Sequence, residues 1–189
     1  ASRGLNITGN FSPDGDEIVF SSSQDETYGL YNLRISDSKL TRITTARWIE
    51  ISPAVSPDGK LVAFVSDRGG TPQIYIMNRN GYDTRRLTFE GSYNTSPSWS
   101  PDNKKIVFVG RASGKHQIFI ISPDGSALTQ LTDKWNNEDP SFSPDGRFII
   151  FSSDRNGGSG IYIMRANGES QKKITPPWLR AFGPRWSPN

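Results

Sequence analysis

No cysteine occurs among the 189 residues, which excludes disulfides, thiol nucleophiles and thiolate metal sites. Histidine occurs once, at His116, too few for a histidine zinc site and a single candidate for a general base. No apolar run approaches the length of a membrane-spanning helix, and no stretch shows a helical hydrophobic period. Blocks of like charge are absent too. The 22 basic and 19 acidic residues are scattered for a net charge of +3, so no stripe exists to track a phosphate backbone. Neither nucleic-acid binding nor membrane insertion is expected.

What is present is turn chemistry. The chain holds 18 glycines and 13 prolines beside 11% aromatics, the composition of many short strands joined by tight turns. Ser-Pro-Asp-Gly begins at Ser12, Ser56 and Ser143, with Ser-Pro-Asp-Asn at Ser100 and Ser-Pro-Asn at Ser187. Successive serines lie 44, 44, 43 and 44 residues apart, the period of a four-stranded propeller blade. An apolar residue precedes each serine: Phe11, Val55, Trp99, Phe142 and Trp186.

Each repeat reads as four strands. A short first strand runs into the Ser-Pro-Asp-Gly turn, where proline presets φ and glycine takes the left-handed position, with Asn103 as substitute. The second strand (Glu17–Phe20, Leu61–Val65, Lys105–Val109, Phe148–Phe151) is apolar on both faces, as in a sheet packed between neighbours. The third covers Leu30–Ile35, Gln73–Met77, Gln117–Ile121 and Gly160–Met164. The fourth is short and basic, carrying Arg42, Arg85, Arg86, Lys172 and Lys173, as suits an outer edge strand. The expected fold is an all-β propeller of four tandem blades, with repeats near 5–44, 45–88, 89–132 and 133–175. An extra C-terminal strand is expected over 181–187.

That phase carries a further expectation. The chain opens and closes on a first strand, so a single domain of four blades plus one strand is expected to be part of a six-bladed ring with residues upstream. Open blade faces such as Val19, Phe20 and Phe151 would then favour self-association.

The run Pro140-Ser141-Phe142-Ser143-Pro144-Asp145-Gly146, then Ser153-Asp154-Arg155, then Ile161-Tyr162-Ile163-Met164 resembles the repeats of the TolB family. Pro97-Ser98-Trp99-Ser100-Pro101-Asp102 with Ile106-Val107-Phe108 repeats the pattern, and Phe182-Gly183-Pro184-Arg185-Trp186-Ser187-Pro188 resembles the segment on which TolB chains end. The resemblance implies a periplasmic, non-enzymatic scaffold of the Tol-Pal system of the cell envelope, which serves cell division. It implies binding of the peptidoglycan-associated lipoprotein through inter-blade loops. Similar repeats occur in propellers of prolyl-oligopeptidase-family enzymes, of oligogalacturonate lyases and of surface proteins, which keeps an enzyme-associated module or a surface repeat protein as alternatives.

A search for chemistry finds no catalytic constellation, metal site or cofactor site. His116 falls in the turn before a third strand, where a solvated ring is expected. Gly157-Gly158-Ser159-Gly160 lacks the second glycine of a nucleophile elbow and has the place of a hairpin turn. Asp14, Asp58, Asp102 and Asp145 share one turn slot, and their expected role is to shape it. The loops from each fourth strand to the next first strand carry one large aromatic each: Trp48, Tyr93, Trp135 and Trp178. Trp and Tyr among polar groups are the composition of protein-binding hot spots. The expected partner-binding set is therefore Trp48, Glu50, Tyr93, Asn94, Ser96, Trp135, Asn137, Glu138, Asp139, Trp178 and Arg180, with sealing of the seams between blades as the competing role for the rings.

Overall fold

The computed structural model describes residues 6–25, 27–45 and 47–187. Leu5, where the first repeat was expected to begin, and Pro188-Asn189 of the last motif lie outside them. Among the described residues the chain forms four antiparallel four-stranded sheets. Blade one is β1 (Asn6–Phe11), β2 (Glu17–Asp25), β3 (Thr27–Arg34) and β4 (Leu40–Arg42). Blade two is β5 (Glu50–Val55), β6 (Leu61–Ser66), β7 (Gln73–Asn78) and β8 (Arg85–Arg86). Blade three is β9 (Asn94–Trp99), β10 (Ile106–Ala112), β11 (Lys115–Ile121) and β12 (Thr129–Gln130). Blade four is β13 (Asn137–Phe142), β14 (Phe148–Ser153), β15 (Gly160–Arg165) and β16 (Lys172–Lys173). Strands within each blade follow in sequence order, as the repeat predicts. The chain divides into two compact units, residues 1–97 and 98–189.

The motif turn works as its residues dictate. Ser143 Oγ donates to Asp145 Oδ1 (2.5 Å) and accepts from Phe148 N (2.9 Å), while Gly146 N closes the turn on Ser143 O (2.8 Å). Ser12, Ser56 and Ser100 repeat the arrangement with Asp14, Asp58 and Asp102. Gly15, Gly59, Asn103 and Gly146 all take positive φ, between 61° and 78°. The serine hydroxyl and backbone N–H groups hold all four carboxyls below their usual range, Asp145 at about 2. The turn aspartates serve the turn.

Each unit buries its own apolar layer. Val19, Leu30, Val55, Val62, Phe64, Tyr75 and Met77 form the core of the first unit. Val107, Val109, Ile118, Phe142, Ile149, Phe151, Tyr162 and Met164 form that of the second. Within blades, an aromatic of the second strand stacks beside one of the third: Phe20 with Tyr31, Phe108 with Phe119 and Phe151 with Tyr162.

Two expectations need correction. Residues 181–187 form no strand: no neighbouring strand pairs with them, and Trp186 Nε1 instead donates to Ser141 O at 3.0 Å. Val19 and Phe151 are fully buried in their own units rather than open, whereas Phe11, Ile35 and Leu40 are exposed. The basic residues of the fourth strand do not all face solvent. Arg42 lies over the Tyr31 ring and donates to its hydroxyl (3.1 Å), and Arg86 lies over Phe89.

Candidate functional site

In the first unit, the entry to β5 begins with a half-buried Trp48 under the Arg68 guanidinium, 4.8 Å from the ring. Arg68 also lies over Tyr75 and pairs with Glu50, a fully buried carboxylate. Burial pushes the Glu50 carboxyl up, against the opposing pull of Arg68. One blade later, Asn94 is buried and its amide donates to Gln73 Oε1 (2.8 Å) and Glu90 O (2.9 Å). Gln73 Oε1 also accepts from Thr88 Oγ1 (2.8 Å). Above this layer, Ile49, Ile51, Val65, Pro72 and Tyr93 line an apolar cleft of about 270 Å³, with Asp67 and Thr95 beside them.

The second unit repeats the plan. Gln117 Oε1 accepts from Thr132 (2.7 Å) and Asn137 (3.0 Å), and its amide donates to Trp135 O (2.8 Å). Arg155 donates to Asn137 Oδ1 (2.8 Å) and lies over both Trp135 and Tyr162. Trp135 adopts φ +60° and remains 43% exposed, held at its face by Arg155 and at its carbonyl by Gln117. Beside it is a polar cleft of about 260 Å³ lined by His116, Asn136, Glu138, Ser152, Ser153, Asp154, Ser159 and Phe182.

Thus Glu50, Asn94 and Asn137 occupy one repeat slot and are spent inside the blades. They offer a partner no surface, a correction to the expected set. Each is buried at the head of its first strand, ahead of two more open positions, and this separates them from their neighbours. Glu138, Trp178 and Arg180 are exposed, and Trp48, Tyr93, Ser96 and Asp139 half-buried. Ser52, Ser96 and Asp139 all adopt φ +53°, each at the same point of its first strand; at Ser52 and Asp139 the ladder shifts register there. This repeated bulge turns them out of the ladder. Non-glycine residues in that conformation need a surrounding structure to hold them.

His116 was expected to be a solvated turn residue. It lies instead in β11, with Nδ1 at 2.5 Å from Glu138 Oε1 and its backbone N–H bonded to Asn136 Oδ1 (3.0 Å). Asp154 and Ser159, which the sequence places in hairpin turns, join the loop residue Asn136 in lining this cleft. The available signal was positional, since 116 and 159 share the slot of Pro72 just before the third strand's first buried residues. Among the described residues, no group of three or more His, Asp or Glu is placed to hold a metal ion.

Four-stranded blades in series, with loops that end on aromatic residues, define a β-propeller. The family model of the TolB beta propeller domain matches residues 1–189, and the chain belongs to that family. A putative TolB from Agrobacterium tumefaciens is similar at 30% identity and a TM-score of 0.83, over 92% of this chain and 62% of that one. TolB from Acinetobacter baumannii is similar at 25% identity and a TM-score of 0.55, over 90% of this chain and 54% of that one. The chain therefore spans less than two thirds of either relative. An oligogalacturonate lyase in complex with manganese shares the fold at 14% identity and a TM-score of 0.71, over 93% of this chain and 54% of that one. No curated protein matches the chain.

Proposed function

We propose that the chain is a non-enzymatic, protein-binding propeller of the Tol-Pal cell-envelope system, acting in the periplasm, with the peptidoglycan-associated lipoprotein as its partner. Family membership over residues 1–189 supports the assignment. The observation that carries a binding role is the set of large side chains left exposed on the loops of the second unit. Trp135, Trp178 and Phe182 are 43%, 83% and 77% exposed beside Glu138 and Arg180. Aromatic and arginine side chains at a surface bury large area on docking at little entropic cost. In the first unit, the corresponding elements are Tyr93, Ser96 and the half-buried Trp48.

The test is calorimetric titration of the chain with the periplasmic domain of the lipoprotein. Saturable binding is expected, and alanine at Trp135 or Tyr93 should weaken it by about 2 kcal/mol. A folded chain that binds nothing would overturn the assignment. Unchanged affinity in both variants would reduce the two rings to packing elements.

A further inference from the structure

The clefts of blades two and four occupy the same slot of the repeat yet are lined by opposite chemistry. Residues 87 apart correspond: Ile49 with Asn136, Ile51 with Glu138, Val65 with Ser152 and Pro72 with Ser159. The ladders agree, since Ile51 pairs with Val65 as Glu138 pairs with Ser152. The loops agree too: Asp67 accepts from Ile49 N (2.9 Å) as Asp154 accepts from Asn136 N (2.8 Å). Blade two shows that apolar groups satisfy the fold at all four positions. The polar lining of blade four is not a requirement of strand or turn, and drawing polar groups out of water is costly unless something pairs with them.

The unused capacity of that lining is mostly acceptor. His116 engages Glu138 Oε1 and leaves Oε2 open. Each Asp154 oxygen accepts one bond from Asn136 and keeps a second lone pair. Ser159 adds a hydroxyl, and Phe182 an exposed aromatic wall. Among the described residues, two carboxylates line the cleft and no lysine or arginine does, although Lys115 acts on Asp154 from outside and Arg180 stands beside Gly158.

We propose that this cleft is a subsite for an arginine side chain of the partner protein, an inference that rests on the protein-binding reading above. A guanidinium brings five N–H donors in a planar fork. It can engage the Glu138 carboxylate at one edge and stack on Phe182 with its face. The equivalent cleft of blade two, with Ile51 in place of Glu138, is closed to such a group by its apolar walls.

The experiment is an NMR titration of the ¹⁵N-labelled chain with N-acetyl-arginine amide, with the N-acetyl-citrulline amide as neutral isostere. Saturable shifts at the amides of Ser159 and Phe182 are expected for the arginine probe, with citrulline at least tenfold weaker. Glu138→Ile, which installs the residue blade two carries in that slot, should abolish the response while keeping the melting temperature. Phe182→Ala should weaken it several-fold. No response to arginine, an equal response to citrulline, or full binding by Glu138→Ile would each overturn the proposal. Spermidine binding more tightly than the arginine probe would assign the cleft to a free polyamine and overturn the partner side chain. Arginine binding without binding of the lipoprotein domain would leave the subsite standing and remove that partner alone. Lipoprotein affinity undiminished in Glu138→Ile would do the reverse.

Discussion

At the residue scale, Glu50 departs from its repeat. The same slot holds Asn94 and Asn137, neutral amides whose hydrogen bonds close the layer beneath the loops. Glu50 pairs through Oε1 with Arg68, while Oε2 is buried without a hydrogen-bond partner. Burial raises its pKa above the usual 4.5, so the folded state holds this proton where the unfolded state has released it. The folded protein then binds more protons than the unfolded one over that interval, and the contribution of Glu50 to stability falls as pH rises through it. In Glu50→Gln the titrating group is gone and the hydrogen-bonding shape is kept. Denaturant unfolding from pH 4 to pH 8 should show the variant gaining on the wild type as pH rises. A difference that does not change with pH would show that Glu50 ionises normally. Asp145 has the opposite sign. Its carboxyl, held at about 2, supports the fold above its usual 3.8 and loses that support as pH falls toward 2. Ser143→Ala, which removes the hydroxyl that serves both Asp145 and Phe148 N, should cost about 1–3 kcal/mol in the same measurement at neutral pH.

At the scale of the element, glycines at equal φ separate two physical causes. Gly70 and Gly81 lie in the two hairpin turns of blade two at φ +91° and +88°. A methyl group on Gly70 would meet nothing within 4 Å, whereas on Gly81 it would fall 2.0 Å from the carbonyl oxygen of Ile43 in blade one. Gly70→Ala should therefore cost only the left-handed backbone term, about 1 kcal/mol. Gly81→Ala has to move backbone as well and should cost several-fold more by urea denaturation. Equal costs would mean that the hairpin of blade two shifts freely against blade one. Gly29 and Gly160 stand where Gln73 and Gln117 serve the other blades. Here a basic side chain of the fourth strand takes up the space, since a Cβ on Gly29 would collide with Arg42 and one on Gly160 with Lys173. Each blade fills this slot once, from one strand or the other, and the substitution is readable only after the repeats are aligned in three dimensions.

At the scale of the molecule, blade count, strand order and the turn role of the motif aspartates were legible because they are periodic and local: a turn that repeats every 43 or 44 residues announces itself. The fourth strands pair over only two or three residues, because their later positions accept through a side-chain oxygen instead, as Thr88 and Thr132 accept from Ile74 N–H and Ile118 N–H. The polar cleft was not legible, since His116 belongs to blade three and Glu138 and Asp154 to blade four, and they meet only where the two blades pack. The buried relays were likewise hidden, because Gln, Thr and Asn read as surface residues until burial is known. These relays also predict how the molecule loses structure. Gln73 joins Thr88, Asn94 and Gly91, all in the first unit, whereas Gln117 joins Thr132, Asn137 and Trp135, all in the second. The two networks share no residue, and in repeat proteins stability sums over repeats and their immediate neighbours. Gln117→Leu strands the donors of Thr132 and Asn137 and should cost about 1–3 kcal/mol, as should Gln73→Leu. The double variant should match the sum within about 0.5 kcal/mol. In native-state hydrogen exchange, Gln117→Leu should raise opening rates among residues 98–187 while those of 6–97 hold. Equal acceleration in both units would show instead that the four blades open as one cooperative body, with the relays acting on the whole chain.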